Sequence, residues 1–213
     1  MDTCVFILEI IGTVAFAISG AMTAIKKKMD ILGVIILGLV TAVGGGIIRD
    51  LVLGITPPTT FRDSTYAMVA VFTSIVIFFP FVRRFLSRTH KFYDTVLFLM
   101  DSLGLAIFTV MGIFAANTGA AGDYGMFLLL FVGVITGVGG GVLRDILAGN
   151  TPYIFIKHIY ACASMAGAVV CAVLWTPAGS FYAMIAGAAT VFLLRVLAAR
   201  FKWNLPKAQD FEN

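Results

Sequence analysis

The sequence predicts an all-α membrane protein of seven transmembrane helices, arranged as an inverted 3+3 helix repeat plus one extra C-terminal helix. Three observations predict it. The 213-residue chain is 60% hydrophobic and 12% charged, with a mean hydropathy of +1.01, too apolar for a water-soluble domain of that length. Its apolar runs repeatedly reach the roughly 20 residues that a bilayer crossing takes. One unusual phrase also occurs twice, TAVGGGIIRDLVLGITP from Thr41 to Pro57 and TGVGGGVLRDILAGNTP from Thr136 to Pro152, with 11 of 20 positions identical from Gly38 and Gly133 onward.

The spans follow in order. Span one covers about 4–25 and is not a signal peptide, because no basic segment precedes it and Glu9 lies inside it. Span two, about 31–53, carries the first copy of the phrase, with Asp30 before it as a loop or N-cap residue. Span three, about 65–86, opens at Tyr66. Span four, about 93–116, contains Asp101 about seven residues in. Span five, about 125–148, carries the second copy, and span six, about 155–175, opens near Tyr160. Span seven, about 180–199, has small residues at Ala183, Ala186 and Gly187 that suit close helix packing. The whole chain, 1–213, reads as a single membrane domain, with repeat one at about 4–86 and repeat two at about 93–175.

Charge placement predicts orientation. Lys26, Lys27, Lys28, Arg83, Arg84, Arg88, Lys91, Lys157, Arg195, Arg200, Lys202 and Lys207 fall on one side of such a topology. The other side has Arg62 beside Asp2, Asp63 and Asp123. The positive-inside rule then puts the N-terminus outside and the C-terminus in the cytoplasm. The net charge of +4 reflects topology, and cations that flank spans do not form a nucleic-acid-binding face. Cys4, Cys162 and Cys171 show no CxxC or metal-ligand spacing, and neither His90 nor His158 sits in a ligand pattern, so no metal or cofactor is expected. The absence of an HExxH, of a Ser/His constellation and of a GK[ST] phosphate loop argues against an enzyme.

The duplication extends beyond the phrase. Glu9, Gly12, Phe16 and Gly20 match Asp101, Gly104, Phe108 and Gly112, and Tyr66 matches Tyr160. Each repeat has an odd number of helices, so the second enters the membrane from the opposite side. That arrangement places a site at the repeat interface. On a helix, Gly133, Gly137, Gly141, Asp145 and Gly149 share one face, and Gly38, Ala42, Gly46, Asp50 and Gly54 share its counterpart. Thr41, Gly45 and Arg49 form a second row, repeated as Thr136, Gly140 and Arg144. Adjacent residues point about 100° apart. On that ground the expected ion pairs cross the repeat axis, Arg49 with Asp145 and Arg144 with Asp50. The triplets Gly44, Gly45, Gly46 and Gly139, Gly140, Gly141 weaken a helix by roughly 1 kcal/mol per glycine and suggest a bend that frees carbonyls toward a cavity. A plainer alternative makes them packing grooves and the Arg-Asp pairs interfacial anchors. Thr-Pro at 56–57 and 151–152 ends each helix. Glu9 and Asp101 are the secondary site candidates.

GGGIIRDLVLG and GGGVLRDILAG, each in the second helix of a three-helix repeat, resemble the bacterial relatives of the trimeric intracellular cation (TRIC) channels, a repeat also labelled a glycine transporter domain. The resemblance runs from Glu9 to the end of span seven. It implies a homotrimer in the bacterial inner membrane, each protomer with its own pore for monovalent cations such as K⁺ and Na⁺. The pore would be lined by the bends of spans two and five at the six triplet glycines, with Arg49, Asp50, Arg144 and Asp145 at the constriction and Thr41 and Thr136 beside them. Animal members bind phosphoinositide lipid near their kinks, whereas the Lys-Lys-Lys of this chain lies in the first loop. The alternative function is a secondary transporter of a small zwitterion such as glycine, Arg holding its carboxylate and Asp its amine. A third reading is a membrane scaffold.

Overall fold

A computed structural model describes residues 2–86, 89–119, 124–156 and 159–203. Arg88, Asp123, Lys157 and Lys207, which entered the charge argument, and His158, which entered the metal argument, lie outside the described residues. Among the described residues ten helices follow in order: α1 Asp2–Lys26, α2 Ile31–Val52, α3 Thr59–Arg62, α4 Thr65–Phe78, α5 Pro80–Leu86, α6 His90–Thr118, α7 Met126–Leu147, α8 Tyr153–Ile156, α9 Tyr160–Ala178 and α10 Ser180–Phe201. Six of them are long and apolar enough to cross a membrane. The expected third span is bent by 75° between α4 and α5, and counting that pair as one span raises the number to seven. The bend falls at Phe79-Pro80, where proline withholds an N–H from the helix ladder.

Local chemistry sets the helix ends. Asp30 caps α2, its Oδ1 accepting from the Gly33 N–H at 2.7 Å. Asp63 accepts from the Thr65 N–H at 2.9 Å ahead of α4. The ends of α2 and α7 differ from the expected Thr-Pro stop. Gly54 at φ +73° and Gly149 at φ +65° turn the chain instead. The Ile55 N–H donates to the Asp50 carbonyl at 2.8 Å and the Asn150 N–H to the Asp145 carbonyl at 2.8 Å, the glycine-dependent C-terminal cap known as the Schellman motif. The prolines come after the helices have already ended. Nothing lies within 4 Å of a Cβ placed on Gly54, so Gly54→Ala meets only the cost of the left-handed backbone, about 1–2 kcal/mol. A thermal melt should show that loss, with a smaller one for Gly54→Asn.

Packing relies on small residues, because lipid supplies no hydrophobic drive between helices and close backbone approach must supply dispersion contacts. A Cβ on Gly20 of α1 would lie 2.6 Å from the Leu37 carbonyl of α2, and one on Gly112 of α6 would lie 2.7 Å from the Val132 carbonyl of α7. Gly167 of α9 and Gly187 of α10 abut in the same way. Outward faces carry large apolar side chains such as Phe72, Phe81 and Phe127.

Contacts orient the elements. Lys26 at the end of α1 bonds Asp94 near the start of α6, and Ala148 after α7 packs with Met22, Val34 and Leu97. At the other end, Leu53 after α2 packs with Ala116 and Val132. Hence α1 and α7 run one way, and α2 and α6 the other. The two ends of the bundle are called here the Lys26 end and the Asp63 end.

Candidate functional site

The centre of the molecule is the crossing of α2 and α7. A Cβ on Gly45 would overlap the Thr136 carbonyl oxygen, and one on Gly140 would overlap the Thr41 carbonyl oxygen. Both helices continue without a break through their glycine triplets. The triplets remove side-chain bulk so that two backbones touch, and the helical ladder stays intact. Thr41 and Thr136 turn their hydroxyls to their own helices, bonding the Leu37 and Val132 carbonyls at 2.5 and 2.6 Å. Their carbonyls, not their hydroxyls, meet the facing glycines. Phe16 and Phe108, matched by the repeat, pack beside the crossing with centroids 5.3 Å apart and rings tilted by 39°. Phe16 is also the side chain against which Gly104 and Gly140 pack.

Because α2 and α7 are antiparallel, residues four past Gly45 and four past Gly140 depart in opposite directions, each roughly 6 Å along its axis at 1.5 Å per residue. The two Arg-Asp pairs therefore lie on opposite sides of the crossing, and the expected cross-axis ion pairs do not form. Arg49 Nε donates to Asp50 Oδ1 at 2.8 Å and Arg144 Nε to Asp145 Oδ1 at 2.9 Å. The long guanidinium stem wraps the helix end and overcomes the 100° offset between neighbours. Each aspartate uses its second oxygen to tie down the next segment: Asp50 Oδ2 accepts from the Thr59 N–H at 2.7 Å and its hydroxyl at 2.6 Å, and Asp145 Oδ2 from the Tyr153 N–H at 2.9 Å.

The half-site toward the Lys26 end is fully enclosed. Asp101, at 0% exposure, accepts from Arg144 Nη1 at 2.6 Å and from the Tyr160 hydroxyl at 3.5 Å, and Arg195 Nη2 lies 3.6 Å away. Arg144 also donates to Ser19 Oγ at 2.5 Å, and its guanidinium carbon stands 5.0 Å from the Tyr153 ring centroid. Arg195 lies over Phe98 and Tyr160, 4.9 and 4.7 Å from their centroids. Arg195 at 1% exposure is thus no loop cation, a correction to its place in the charge argument. A cavity of about 530 Å³ opens beside this cluster, lined by Thr23, Lys26, Lys27, Asn150, Thr151 and Tyr153 among others.

The half-site toward the Asp63 end is looser. The Tyr66 hydroxyl donates to the half-buried Glu9 carboxylate, and Arg49 Nη2 reaches Thr59 Oγ1 at 3.4 Å. A cavity of about 40 Å³ lies among Glu9, Thr13, Arg49, Thr60, Tyr66 and Phe108. The Thr65 hydroxyl, then its N–H, hold the exposed Asp63 carboxyl outside this cavity below its ordinary range. No group of three or more His, Cys, Asp or Glu able to hold a metal occurs among the described residues.

All four Arg-Asp residues and both secondary candidates fall in these two clusters. Sequence reasoning missed Ser19, Thr59, Tyr153 and the role of Arg195. The available signal was an arginine deep in an apolar stretch of span seven.

The chain matches a family model described as glycine transporter twice, over residues 6–81 and 98–176. The UPF0126 inner membrane protein YadS of Escherichia coli (strain K12) is 38% identical over 213 residues, with 98% of each chain covered. The UPF0126 membrane protein YvgT of Bacillus subtilis (strain 168) is 35% identical over 201 residues, with 94% of each covered. A prokaryotic TRIC channel crystallised in 0.5 M KCl superposes with a TM-score of 0.85 at 30% identity, covering 96% of this chain and 100% of that one. The TRIC trimeric intracellular cation channel orthologue from Rhodobacter sphaeroides gives 0.83 at 34% identity, covering 94% and 100%. This multi-pass membrane protein is not an enzyme, and with both halves matching the repeat model and nearly its whole length superposing on those channels, it belongs to the bacterial TRIC channel family.

Proposed function

We propose that this protein is a channel for monovalent cations, K⁺ first and Na⁺ second, with one path through each protomer of a homotrimer in the bacterial inner membrane. The bent α4–α5 pair serves as the third crossing, so that two inverted three-helix repeats precede α10. The N-terminus and the Asp63 end face outward, and the C-terminus and the Lys26 end face the cytoplasm, as the positive-inside rule favours. The observation that carries the reading is the pair of charged half-sites with cavities on opposite ends, separated by the glycine crossing and the Phe16-Phe108 contact. Gly44, Gly45, Gly46, Gly139, Gly140, Gly141, Thr41 and Thr136 form the narrow middle of the path. Arg49 with Asp50 and Arg144 with Asp145 flank it, with Glu9 in the wall of the smaller cavity and Asp101 buried against Arg144. Carboxylates and carbonyls along such a route favour cations.

In liposomes with a K⁺ gradient, the protein should pass K⁺ when a protonophore carries the compensating charge. Arg49→Gln removes a guanidinium from the open half-site and should raise that flux several-fold, about the effect of 1 kcal/mol of like-charge repulsion. A flux that falls or stays constant argues against Arg49 as a barrier. The glycine transporter reading draws on the same two opposed cavities with a closed centre, which suit alternating access. Saturable glycine uptake without ionic leak would favour it over the channel.

A further inference from the structure

We infer that the small cavity at the Asp63 end is a binding site for one monovalent cation of the size of potassium or ammonium, held by the Glu9 carboxylate. The inference rests on a mismatch between the half-sites, and its occupant rests on the cation-channel reading. Glu9, Tyr66, Arg49 and Asp50 correspond in type and position to Asp101, Tyr160, Arg144 and Asp145. The second set has a further member, Arg195 of α10, which sets its guanidinium 3.6 Å from Asp101 and over the Tyr160 ring. The repeats contain no counterpart of α10, and among the described residues Arg49 is the one guanidinium at the cavity that Glu9 lines.

Among the described residues, the hydrogen-bond partner of Glu9 is the Tyr66 hydroxyl, while Arg49 is turned to Asp50 and Thr59. Formal charge is therefore balanced around Asp101, two carboxylates against two guanidiniums. Around Glu9, two carboxylates face one guanidinium. The cavity lies where the unbalanced charge is. Its 40 Å³ exceeds the roughly 10–15 Å³ of accessible space that one water needs, room for a small ion. Glu9, Thr13, Thr60 and Tyr66 bring oxygen-bearing side chains to its wall, the hard donors that alkali cations take. A cation there would complete the charge balance that Arg195 completes, from within the chain, in the other half.

The test titrates the full-length protein in detergent with KCl against N-methylglucamine chloride at constant ionic strength and follows the melting midpoint. The wild type should show a saturable, K⁺-specific rise. Glu9→Gln should increase the half-saturating K⁺ concentration about tenfold, and Tyr66→Phe about threefold, as expected for losing a charged and a neutral ligand. Asp63→Asn removes an equal charge from the same end outside the cavity and should stay within about twofold of the wild type, the effect of a screened surface charge. No K⁺-specific rise in the wild type overturns the site, as does a Glu9→Gln protein that titrates normally or an Asp63→Asn protein that loses as much. Should Glu9→Gln fail to fold, Tyr66→Phe decides, and an unchanged half-saturation there overturns the site. K⁺-specific stabilisation without K⁺ flux in liposomes would leave the site standing and refute the channel.

Discussion

Asp101→Ala should be the most damaging single substitution in this protein, costing on the order of 3–5 kcal/mol. The carboxylate is fully buried between Arg144 at 2.6 Å and Arg195 at 3.6 Å. Removing it leaves two guanidiniums facing one remaining carboxylate, Asp145, which already holds Arg144 at 2.9 Å. A large fall in melting midpoint and in yield of folded protein is the expected result. The double variant Asp101→Leu with Arg195→Leu should recover most of the loss, because an ion pair replaced by apolar side chains of similar volume is often close to neutral. A double variant no more stable than Asp101→Ala would show that the two residues are not coupled.

The second large effect lies at the glycine crossing, and its sign should change within one triplet. At Gly45 an added methyl meets the Thr136 carbonyl oxygen, and at Gly140 the Thr41 carbonyl oxygen. Backbone atoms have no alternative rotamer, so α2 and α7 must separate. Overpacking of this kind costs about 1–3 kcal/mol, and the rigid neighbour puts Gly45→Ala and Gly140→Ala at the upper end. At Gly44 the obstacle is the end of the Leu143 side chain, which can move, so the cost should be smaller. At Gly46 the nearest atom is Arg49 Nη2 at 3.8 Å, ordinary contact. Gly46→Ala should then stabilise by up to about 1 kcal/mol through helix propensity. Melting midpoints of the alanine variants check the ranking. Equal losses at Gly45 and Gly46 would mean that the triplet acts through helix flexibility rather than through close approach.

The sequence by itself determined the helical membrane class, the repeat and the residues that carry its charge. Long apolar runs, a phrase repeated once and an odd helix count are properties of the linear chain, and burial in lipid leaves few alternatives to helices. It also paired Phe16 with Phe108 and Glu9 with Asp101, positions the fold turns into a contact and into two half-sites. Only the tertiary structure decided which charges meet. Helical angle alone separates Arg49 from Asp50, but a flexible arginine at a helix end chooses its partner by what lies within reach. Antiparallel α2 and α7 carry the alternative aspartate away to the far side of the crossing. The same holds for Arg195, which in sequence is one more cation near a C-terminus. The packing of α10 against α6 and α9 brings it to Asp101, and no local pattern encodes that distance.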